Sequence, residues 1–493
     1  MPDVAATAKA PEHLDVLIIG AGISGIDAAY HLQKRCPGKS WLILEAREAI
    51  GGTWDLFRYP GIRSDSDMYT LGFPFRPWAG EKAIADGPDI RSYVEETARA
   101  HGIDRHIRFG CKAVRASWSS AEARWTVETE DGAVLTCAFL FLCAGYYDYE
   151  NGYRPEWEGE ADYRGRIVHP QFWPEDMDHA GRKIAVIGSG ATAVTLVPAL
   201  AESAAHVFMV QRSPSYIVSR PSHDGLAGRL RRWLPLSLAD KATRWKNVLL
   251  GMFFFSRARK APAKVRAKLL ELVARDLPGH DLSRDFNPSY NPWDQRVCLI
   301  PDGDLFAAMR TGKVSISTGA IARFTETGLE LESGKRIDAD IIVTATGLVV
   351  RLLGGIALNV DGAPVNVADR FNYKGMMLSD VPNLALSFGY TNASWTLKCD
   401  LTSRYVCRLL RHMDRKGWEI CVPRLGDPAP ERAPMLDFSS GYVQRAAASM
   451  PSQGPKAPWR VHQNYLKDLA ALRFGTVADA AMHFERAGAP LGG

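Results

Sequence analysis

Residues 13–35, HLDVLIIGAGISGIDAAYHLQKR, carry the signal that fixes the fold class of this chain. A short apolar run leads into Gly20, Gly22 and Gly25, and an amphipathic helical pattern follows. Glycines at this spacing permit a tight strand-to-helix turn and let backbone N–H groups approach a pyrophosphate. The next apolar strand, WLILE, ends in Glu45, where a carboxylate accepts hydrogen bonds from an adenosine ribose. This context predicts a dinucleotide-binding βαβ unit rather than a purely structural turn.

The same pattern occurs a second time, over residues 183–200, KIAVIGSGATAVTLVPAL. After another apolar strand, Gly188, Gly190 and Ala193 repeat the spacing of the first three glycines. The second turn therefore predicts a second nucleotide site in the same chain, with its phosphates at the start of the following helix.

The two units differ at the end of the strand that follows each turn. Arg212 stands 24 residues past Gly188, whereas Glu45 stands 25 residues past Gly20. A carboxylate would repel a ribose 2′-phosphate, while Arg212 and the adjacent Ser213 can bind one. The first site is therefore predicted to hold FAD and the second NADPH. The alternative for Arg212 is an ordinary solvated surface arginine.

A repeated strand–turn–strand pattern also supports two related halves of the chain. Residues 124–145 read as strand, Asp-Gly turn, strand and buried apolar run, and residues 324–347 repeat this plan with a Ser-Gly turn. The sequence thus predicts an α/β protein with two Rossmann-like dinucleotide-binding domains, the NADPH domain inserted in the FAD domain. The predicted division is FAD domain, first part, 1–150; NADPH domain, 151–345; FAD domain, second part, with the C-terminal region, 346–493.

Residues 222–290 fit neither half, because they are helical in period and crowded with Arg and Lys. They are predicted to form a helical insertion in the NADPH domain. The commoner arrangement packs such helices over the active-site cleft with a solvated basic face. Their basic character with apolar flanks also suits peripheral contact with an anionic membrane surface, and both alternatives stay open here.

Composition excludes several classes of protein. The 493 residues are 46% hydrophobic and 23% charged, as in globular proteins, and the net charge of +5 is mild for a nucleic-acid binder. The eight cysteines are scattered without a C-x-x-C pair, so neither a zinc site nor a disulfide framework is expected. The N-terminal residues lack the plan of a signal peptide, and the longest apolar run, 248–255, is too short for a bilayer. A cytoplasmic protein is expected.

Two dinucleotides in one chain indicate hydride transfer from one to the other. A disulfide reductase would need a redox cysteine pair beside the flavin, and the sequence offers no suitable pair. Dioxygen is therefore the expected acceptor. Reduced flavin and O₂ give a C4a-peroxyflavin, which must be shielded from water and stabilised by fixed dipoles or charges.

Residues 163–174, YRGRIVHPQFWP, resemble the fingerprint F-x-G-x-x-x-H-x-x-x-W-P of the flavin-dependent Baeyer–Villiger monooxygenases. The matching positions are Tyr163, Gly165, His169 and Trp173, with Tyr163 in place of the usual Phe. The resemblance implies that this segment joins the two domains. In that joint, His169 would hydrogen-bond to backbone groups and Trp173 would pack across the contact between the FAD and NADPH domains. With no Cys, Asp or Glu at ligand spacing, His169 is not expected to bind a metal, and no metal site is predicted.

Two more segments resemble the same family: GGTWDLFRYPGIRSDSDMYTLGF, 51–73, and NPSYNPWDQRVCLIPDGDLF, 287–306. The resemblance implies that Arg296 lies over the flavin and that Asp65 holds it, as the catalytic pair. An always-charged guanidinium suits an anionic peroxide; the alternative is a structural ion pair. Gln295 stands where better-known members carry lysine. The residues predicted to bind the cofactors are Gly20, Gly22, Ser24, Gly25, Glu45, Gly52, Thr53, Trp54, Asp55, Arg63, Ser64, Asp65, Val114, Gly188, Ser189, Gly190, Ala191, Thr192, Ala193, Arg212 and Ser213.

The expected function is that of a monooxygenase that uses FAD, NADPH and O₂. The resemblance implies conversion of ketones to esters or lactones, together with oxygenation of sulfides or thioamides. One alternative is an N- or S-oxygenating flavin monooxygenase, which uses hydroperoxyflavin and has no need of Arg296. Another is a non-catalytic redox sensor, which would not need a peroxide-stabilising pair. No nucleic-acid partner is expected.

Overall fold

A computed structural model describes residues 11–436 and 438–488. Its strands are β1 (Glu12–Ile19), β2 (Trp41–Leu44), β3 (Ile107–Arg108), β4 (Ala113–Ser119), β5 (Arg124–Thr129), β6 (Val134–Leu142), β7 (Tyr147–Gly152), β8 (Arg166–Val168), β9 (Lys183–Ile187), β10 (His206–Gln211), β11 (Ile217–Arg220), β12 (Cys298–Pro301), β13 (Val314–Thr318), β14 (Ile321–Thr325), β15 (Gly328–Leu331), β16 (Arg336–Asp338), β17 (Ile341–Thr344), β18 (Leu348–Val350), β19 (Ala357–Val360), β20 (Ala363–Pro364), β21 (Asn372–Tyr373), β22 (Met377–Leu378), β23 (Leu384–Leu386), β24 (Ile420–Pro423), β25 (Ala433–Pro434), β26 (Ser452–Gln453) and β27 (Met482–Glu485).

The α-helices are α1 (Ile23–Arg35), α2 (Thr53–Leu56), α3 (Met68–Leu71), α4 (Gly87–Ala100), α5 (Ala191–Ala201), α6 (Gly225–Trp233), α7 (Leu236–Lys260), α8 (Pro262–Asp276), α9 (Leu282–Asp285), α10 (Asp304–Arg310), α11 (Trp395–Lys416), α12 (Gly441–Ala446) and α13 (Tyr465–Leu469). Helix α1 packs beside β1 and β2, and it also lies against α11 from the C-terminal part of the chain.

The larger sheet has nine strands, in the order β20-β19-β4-β5-β6-β1-β2-β3, with β23 also paired to β6. β1 is central and runs parallel to β2 and β6. Its second half, Val16–Ile19, is continuously buried, as expected for a parallel strand covered on both faces. In contrast, β4 and β5 alternate buried and more exposed side chains. The carboxyl end of β1 therefore opens directly onto the first glycine-rich turn.

The second sheet has five parallel strands, in the order β13-β10-β9-β17-β8. Its strands fall in the chain between β6 and β19 of the first sheet, so the second sheet is nested within the first in sequence order. β7 and β18 pair with each other as an antiparallel ribbon where the chain passes between the two sheets. The structure thus has the predicted α/β plan of two Rossmann-like units.

The segment predicted as a helical insertion contains four helices, α6 to α9. α7 contacts α3 and α6, and α8 contacts β11 beside the second sheet. Among the residues that the structure describes, no helix is both long enough and apolar enough to cross a bilayer.

Candidate active site

The first glycine-rich turn is shaped by close backbone contacts. Gly20 has φ +104°, and a Cβ there would lie 2.7 Å from the carbonyl oxygen of Cys143 on the neighbouring strand end. A Cβ on Gly25 would lie 1.9 Å from the carbonyl oxygen of Gly20, so helix and turn meet without room for a side chain. Gly22 caps α1 and offers no side-chain acceptor to the first N–H groups of the helix. The turn therefore fits a bound pyrophosphate.

Glu45 lies just beyond β2 and is buried. Its Oε2 accepts a hydrogen bond from the backbone N–H of Ala21 at 2.7 Å, and its Oε1 accepts one from the backbone N–H of Arg47 at 2.9 Å. Burial raises the pKa of this carboxyl group, while the two backbone donors favour its charged form. Its remaining lone pairs are available to other donors, and the binding of a ribose by Glu45 stays a prediction.

A cavity of about 570 Å³ runs from this turn across the first sheet. The predicted residues that line it are Gly20, Gly22, Ser24, Glu45, Gly52, Thr53, Trp54, Ser64, Asp65 and Arg296. Its wall also includes the apolar side chains of Ile19, Leu44 and Ile356. A partly apolar cavity that begins at a glycine-rich turn suits an adenine dinucleotide with a flat ring system.

The second glycine-rich turn is built in the same way. Gly188 has φ +144°, and a Cβ there would lie 2.3 Å from the carbonyl oxygen of Ala345. Gly190, the N-cap of α5, faces open space. A second cavity of about 300 Å³ reaches this helix start, and the predicted residues that line it include Arg63, Gly190, Ala191 and Thr192. The open N-terminus of α5 fits the phosphates of a second dinucleotide.

The two cavities share part of their walls. The residues that line both are Thr53, Trp54, Ser64, Asp65, Tyr147 and Arg296. Arg296 Nη1 donates a hydrogen bond to Asp65 Oδ2 at 2.5 Å, and the two side chains remain 34% and 39% exposed. The charge of Asp65 raises the pKa of the Arg296 guanidinium well above its ordinary value. A permanent positive charge therefore stands where the two cavities meet, with N–H groups left for a ligand.

Tyrosines that were not among the predicted site residues surround this pair. Tyr146, Tyr147 and Tyr442 all lie close enough to Arg296 to interact with its charge. The hydroxyl groups of Tyr146 and Tyr147 hydrogen-bond each other at 2.6 Å. Burial raises the pKa of all three tyrosines, so they stay protonated at neutral pH. A signal for the first two was present, because they come soon after the carboxyl end of β6.

Trp395 is a further residue of the larger cavity that was not among the predicted site residues. It begins α11, its indole stacks on the ring of Tyr146 with centroids 5.1 Å apart, and its Nε1 donates to Ser24 Oγ at 2.8 Å. The tryptophan thus ties the first turn of α1 to the aromatic wall beside Arg296.

Several predicted cofactor residues line neither cavity: Gly25, Asp55, Val114, Gly188, Ser189, Ala193, Arg212 and Ser213. Asp55 is buried and is held by Arg47, Arg58 and Arg91, so its carboxylate serves an internal ion network. Val114 follows the cavity residue Ala113 along β4. Gly25, Gly188 and Ala193 support the turns from behind, as close helix–strand packing requires.

Arg212 and Ser213 are exposed just beyond β10. The carbonyl oxygen of Ser213 accepts a hydrogen bond from Ser189 Oγ at 2.9 Å, which ties this strand end to the second glycine-rich turn. Their position at the carboxyl end of the second sheet matches that of Glu45 in the first. Binding of a 2′-phosphate by Arg212 and Ser213 stays a prediction.

The motif residues Tyr163 to Trp173 lie outside both cavities. A Cβ on Gly152 of β7 would lie 2.2 Å from His169 Cε1, so the imidazole packs flush against the ribbon between the sheets. His169 Nδ1 accepts a hydrogen bond from the backbone N–H of Gln171 at 3.2 Å, and burial lowers the pKa of His169. Trp173 packs on the core that joins Leu56, Phe57 and Tyr59 to the second sheet.

The first half of the motif, Tyr163 and Gly165, packs beside the second sheet. Tyr163 Oη donates to the carbonyl oxygen of Ala339 at 2.8 Å. A Cβ on Gly165 would lie 2.2 Å from that hydroxyl, so only glycine leaves room for the ring. The location suits a joint between the two halves, and the joint role itself stays a prediction.

Comparison with known proteins places these features in context. An NAD(P)-binding Rossmann-like domain matches residues 18–79, and the flavin-binding monooxygenase-like family matches residues 83–234. The FAD-containing monooxygenase EthA of Mycobacterium tuberculosis is 56% identical over 487 residues, which cover 98% of this chain and 99% of that protein.

Solved structures that resemble almost the whole chain include two monooxygenases. An oxidized steroid monooxygenase bound to NADP has a TM-score of 0.76 at 21% identity, over 96% of this chain and 99% of that chain. A cyclohexanone monooxygenase from Rhodococcus sp. Phi1 bound to NADP⁺ has a TM-score of 0.73 at 20% identity, over 97% and 100%. At such identities the likeness concerns the fold, and it confirms the predicted fold class.

Proposed function

The chain belongs to the family of FAD-containing monooxygenases represented by EthA and is therefore an oxidoreductase. On that premise, we propose that it is a Baeyer–Villiger monooxygenase. It uses FAD, NADPH and O₂ to convert ketones to esters or lactones, and it also oxygenates sulfides or thioamides. The observation that carries the proposal is the Arg296–Asp65 pair in the wall shared by the two cavities.

The residues present fit both cofactors. The first turn and Glu45 would hold the pyrophosphate and ribose of FAD, with its ring system toward Trp54 and Arg296 in the larger cavity. The start of α5 would hold the phosphates of NADPH, and Arg212 would bind its 2′-phosphate. Bound FAD supplies hydride acceptance from NADPH and the activation of O₂.

Arg296 performs the step that distinguishes this chemistry. Oxygen transfer to a ketone carbonyl requires a nucleophilic, negatively charged oxygen, and a guanidinium fixed beside it stabilises that charge without giving up a proton. Asp65 orients the guanidinium through the 2.5 Å hydrogen bond. The rings of Tyr146 and Trp395 stack in the wall of the same cavity, where they would help to exclude water during the reaction.

Assignment as an N- or S-oxygenating monooxygenase accounts less well for the Arg296–Asp65 pair, because that chemistry does not need a fixed cation beside the flavin. Oxidation of soft sulfur does not require a nucleophilic oxygen, so sulfide or thioamide oxygenation is compatible with both functions. The distinguishing substrate is therefore a ketone.

Product analysis tests the proposal. Purified holoenzyme, NADPH and air are incubated with linear, cyclic and aryl ketones in parallel with methyl phenyl sulfide, and products are identified by gas chromatography and mass spectrometry. We expect ester or lactone from at least one ketone as well as sulfoxide. Sulfoxide with no ester from any ketone would leave the chain a monooxygenase and overturn the Baeyer–Villiger assignment.

A further inference from the structure

The outer face of α7 is apolar and largely exposed in the described structure, although the ring of Trp245 within it contacts that of Tyr465 at 5.9 Å between centroids. Leu238, Ala242, Trp245, Leu249 and Phe253 recur at helical spacing and form one line along the helix, which we name the α7 stripe. Its four large side chains are 43–57% exposed. Soluble proteins rarely leave so long a contiguous apolar line facing water, and such patches mark interaction surfaces.

Further exposed apolar side chains extend this surface. Leu236, Leu250 and Phe254 flank the stripe, and Trp233, at the end of α6, is 86% exposed. Residues 232–238, RWLPLSL, are all exposed. Tryptophan and phenylalanine at such positions are typical of helices that lie in the interface of a lipid bilayer.

The opposite face of α7 makes the contacts with the protein, and several of them are polar. Asp240 accepts a hydrogen bond from the backbone N–H of Trp78 at 3.2 Å. Arg244 Nη1 donates to the carbonyl oxygens of Tyr69 and Gly72 at 2.8 and 2.9 Å. These buried bonds hold the helix in the orientation that turns the α7 stripe outward, so the exposure follows from the packing of the helix.

The charge of this region is one-sided. Residues 225–270 hold twelve Lys and Arg and one acidic residue, Asp240, which gives a net charge of +11. The whole chain carries +5, so all other residues together carry −6. Asp240 is buried. The exposed basic residues beside the stripe include Arg229, Arg232, Lys241, Arg257 and Lys260.

We propose that α6 and α7 dock this enzyme on the surface of an anionic membrane. The apolar stripe enters the boundary between headgroups and acyl chains, and the basic residues beside it attract acidic headgroups. A second copy of this chain is a poorer occupant, because two surfaces of like positive charge would face each other. The surface lies along the membrane and does not span it.

The docking surface is connected to the candidate active site. Val248, on the inner face of α7, packs against Tyr390, which lines the larger cavity. Near the end of α7, Phe255 contacts the ring of Trp293, and Arg259 Nη1 donates to Asp294 Oδ1 at 2.7 Å. Trp293 and Asp294 belong to the loop that carries Arg296. Docking through α7 would therefore bring the cavity wall and its catalytic loop next to the bilayer.

Flotation with lipid vesicles tests the inference on the full-length, FAD-loaded protein. Vesicles of phosphatidylcholine with an equal part of phosphatidylglycerol are compared with vesicles of phosphatidylcholine alone. We expect the protein to float with the anionic vesicles, to bind neutral vesicles far less, and to detach partly at about 1 M salt, where charges are screened beyond a few ångströms. The double variant Leu249→Glu/Phe253→Glu should bind at least about tenfold more weakly.

The matched control is Val134→Glu, which places a new carboxylate at another exposed apolar site, in the β5–β6 hairpin. This variant should float like the parent protein. Retained FAD absorbance and an unchanged melting temperature show that each variant is folded. The lipid assay does not depend on the Baeyer–Villiger assignment, because it measures binding and not turnover.

Three results would overturn the inference. The parent protein could fail to float with anionic vesicles, or the double variant could float as well as the parent. In the third, the parent protein would be a dimer by size-exclusion chromatography that Leu249→Glu/Phe253→Glu converts to a monomer without any vesicle binding; this result would assign the α7 stripe to a second copy.

Discussion

The two glycine-rich turns share a backbone plan and differ at the end of the next strand. Gly20 and Gly188 both have positive φ and press against a strand-end carbonyl, that of Cys143 in the first site and Ala345 in the second. Beyond the next strand, however, Glu45 is buried and hydrogen-bonded, whereas Arg212 is exposed. From this difference we predict that the turn positions the pyrophosphate and that the residue at the strand end selects the nucleotide.

The largest expected effect on cofactor binding concerns Glu45. Replacing it with Ala removes an acceptor for both ribose hydroxyls and leaves the backbone N–H groups of Ala21 and Arg47 without their partner. Loss of two charge-assisted hydrogen bonds weakens FAD binding on the order of 10²-fold or more. Dialysis followed by flavin absorbance measures the effect, with the exposed Glu122→Ala as control. Full FAD retention in Glu45→Ala would show that Glu45 does not contribute to holding FAD.

The corresponding change in the second site is Arg212→Ala. Loss of one charge-assisted contact to the 2′-phosphate raises the Michaelis constant for NADPH roughly 10–150-fold. The constant for NADH, which lacks this phosphate, should hardly change. Arg323→Ala, which removes an arginine of a surface ion pair, serves as control. Equal losses with both cofactors would mean that Arg212 does not read the phosphate.

The connection between the two sites is tested at Trp173. Trp173→Ala should leave FAD bound, because this residue lines neither cavity, yet should slow oxygenation between about 10- and 10²-fold through misplacement of the two halves. Trp173→Phe should lose less. The measurement is steady-state product formation with flavin content determined in the same sample. Apoprotein in place of slow holoenzyme would assign Trp173 to the FAD site or the core.

The smallest expected effect lies behind the first site, at Asp27 on α1. Asp27 is fully buried, its Oδ1 lies 3.8 Å from His31 Nε2, and Ser403, Asp400 and Arg404 lie around its carboxyl group. Burial raises the pKa of Asp27 to about 7. A raised pKa in the folded state means that the contribution of Asp27 to stability is present at low pH and is lost as pH rises toward 7.

Asp27→Asn imitates the protonated form and should remove this loss. Relative to the parent protein, the free energy of unfolding of the variant should increase by roughly 2 kcal/mol between pH 5 and pH 8. Urea unfolding at the two pH values measures it, and the constant cost of the new amide cancels in the difference. If the difference in free energy of unfolding between the variant and the parent protein is the same at both pH values, Asp27 is ionised in both the folded and the unfolded state.

Local patterns made much of the fold predictable. The strand, glycine-rich turn and helix around Gly20 and Gly188 depend on neighbours within about 30 residues, and so does the placement of Glu45. The sequence could not place Arg296 beside Asp65 from spacing alone, since 231 residues separate them. That pairing came from family resemblance, and the structure brings the two side chains together.

Other features could not be predicted for identifiable physical reasons. Tyr442 reaches Arg296 from a C-terminal segment with no periodic pattern. Asp55 follows the glycine pair of its segment, as a cofactor contact would, yet three arginines hold it away from the cavities. The helical period of α7 was visible, but the period does not say which face packs inward, and buried bonds of Asp240 and Arg244 decide that.

The proposed role of Arg296 in oxygen transfer is tested by the coupling of NADPH oxidation to ester formation in Arg296→Ala. Reduction of bound FAD by NADPH, followed by absorbance without oxygen, should persist, because hydride transfer needs no fixed cation. In air, the rate of ester formation should fall about 10²–10³-fold, with NADPH consumption diverted to hydrogen peroxide. Arg296→Lys should recover little, and Asp65→Asn should shift the ratio in the same direction. Near-normal ester yield per NADPH in Arg296→Ala would contradict the account.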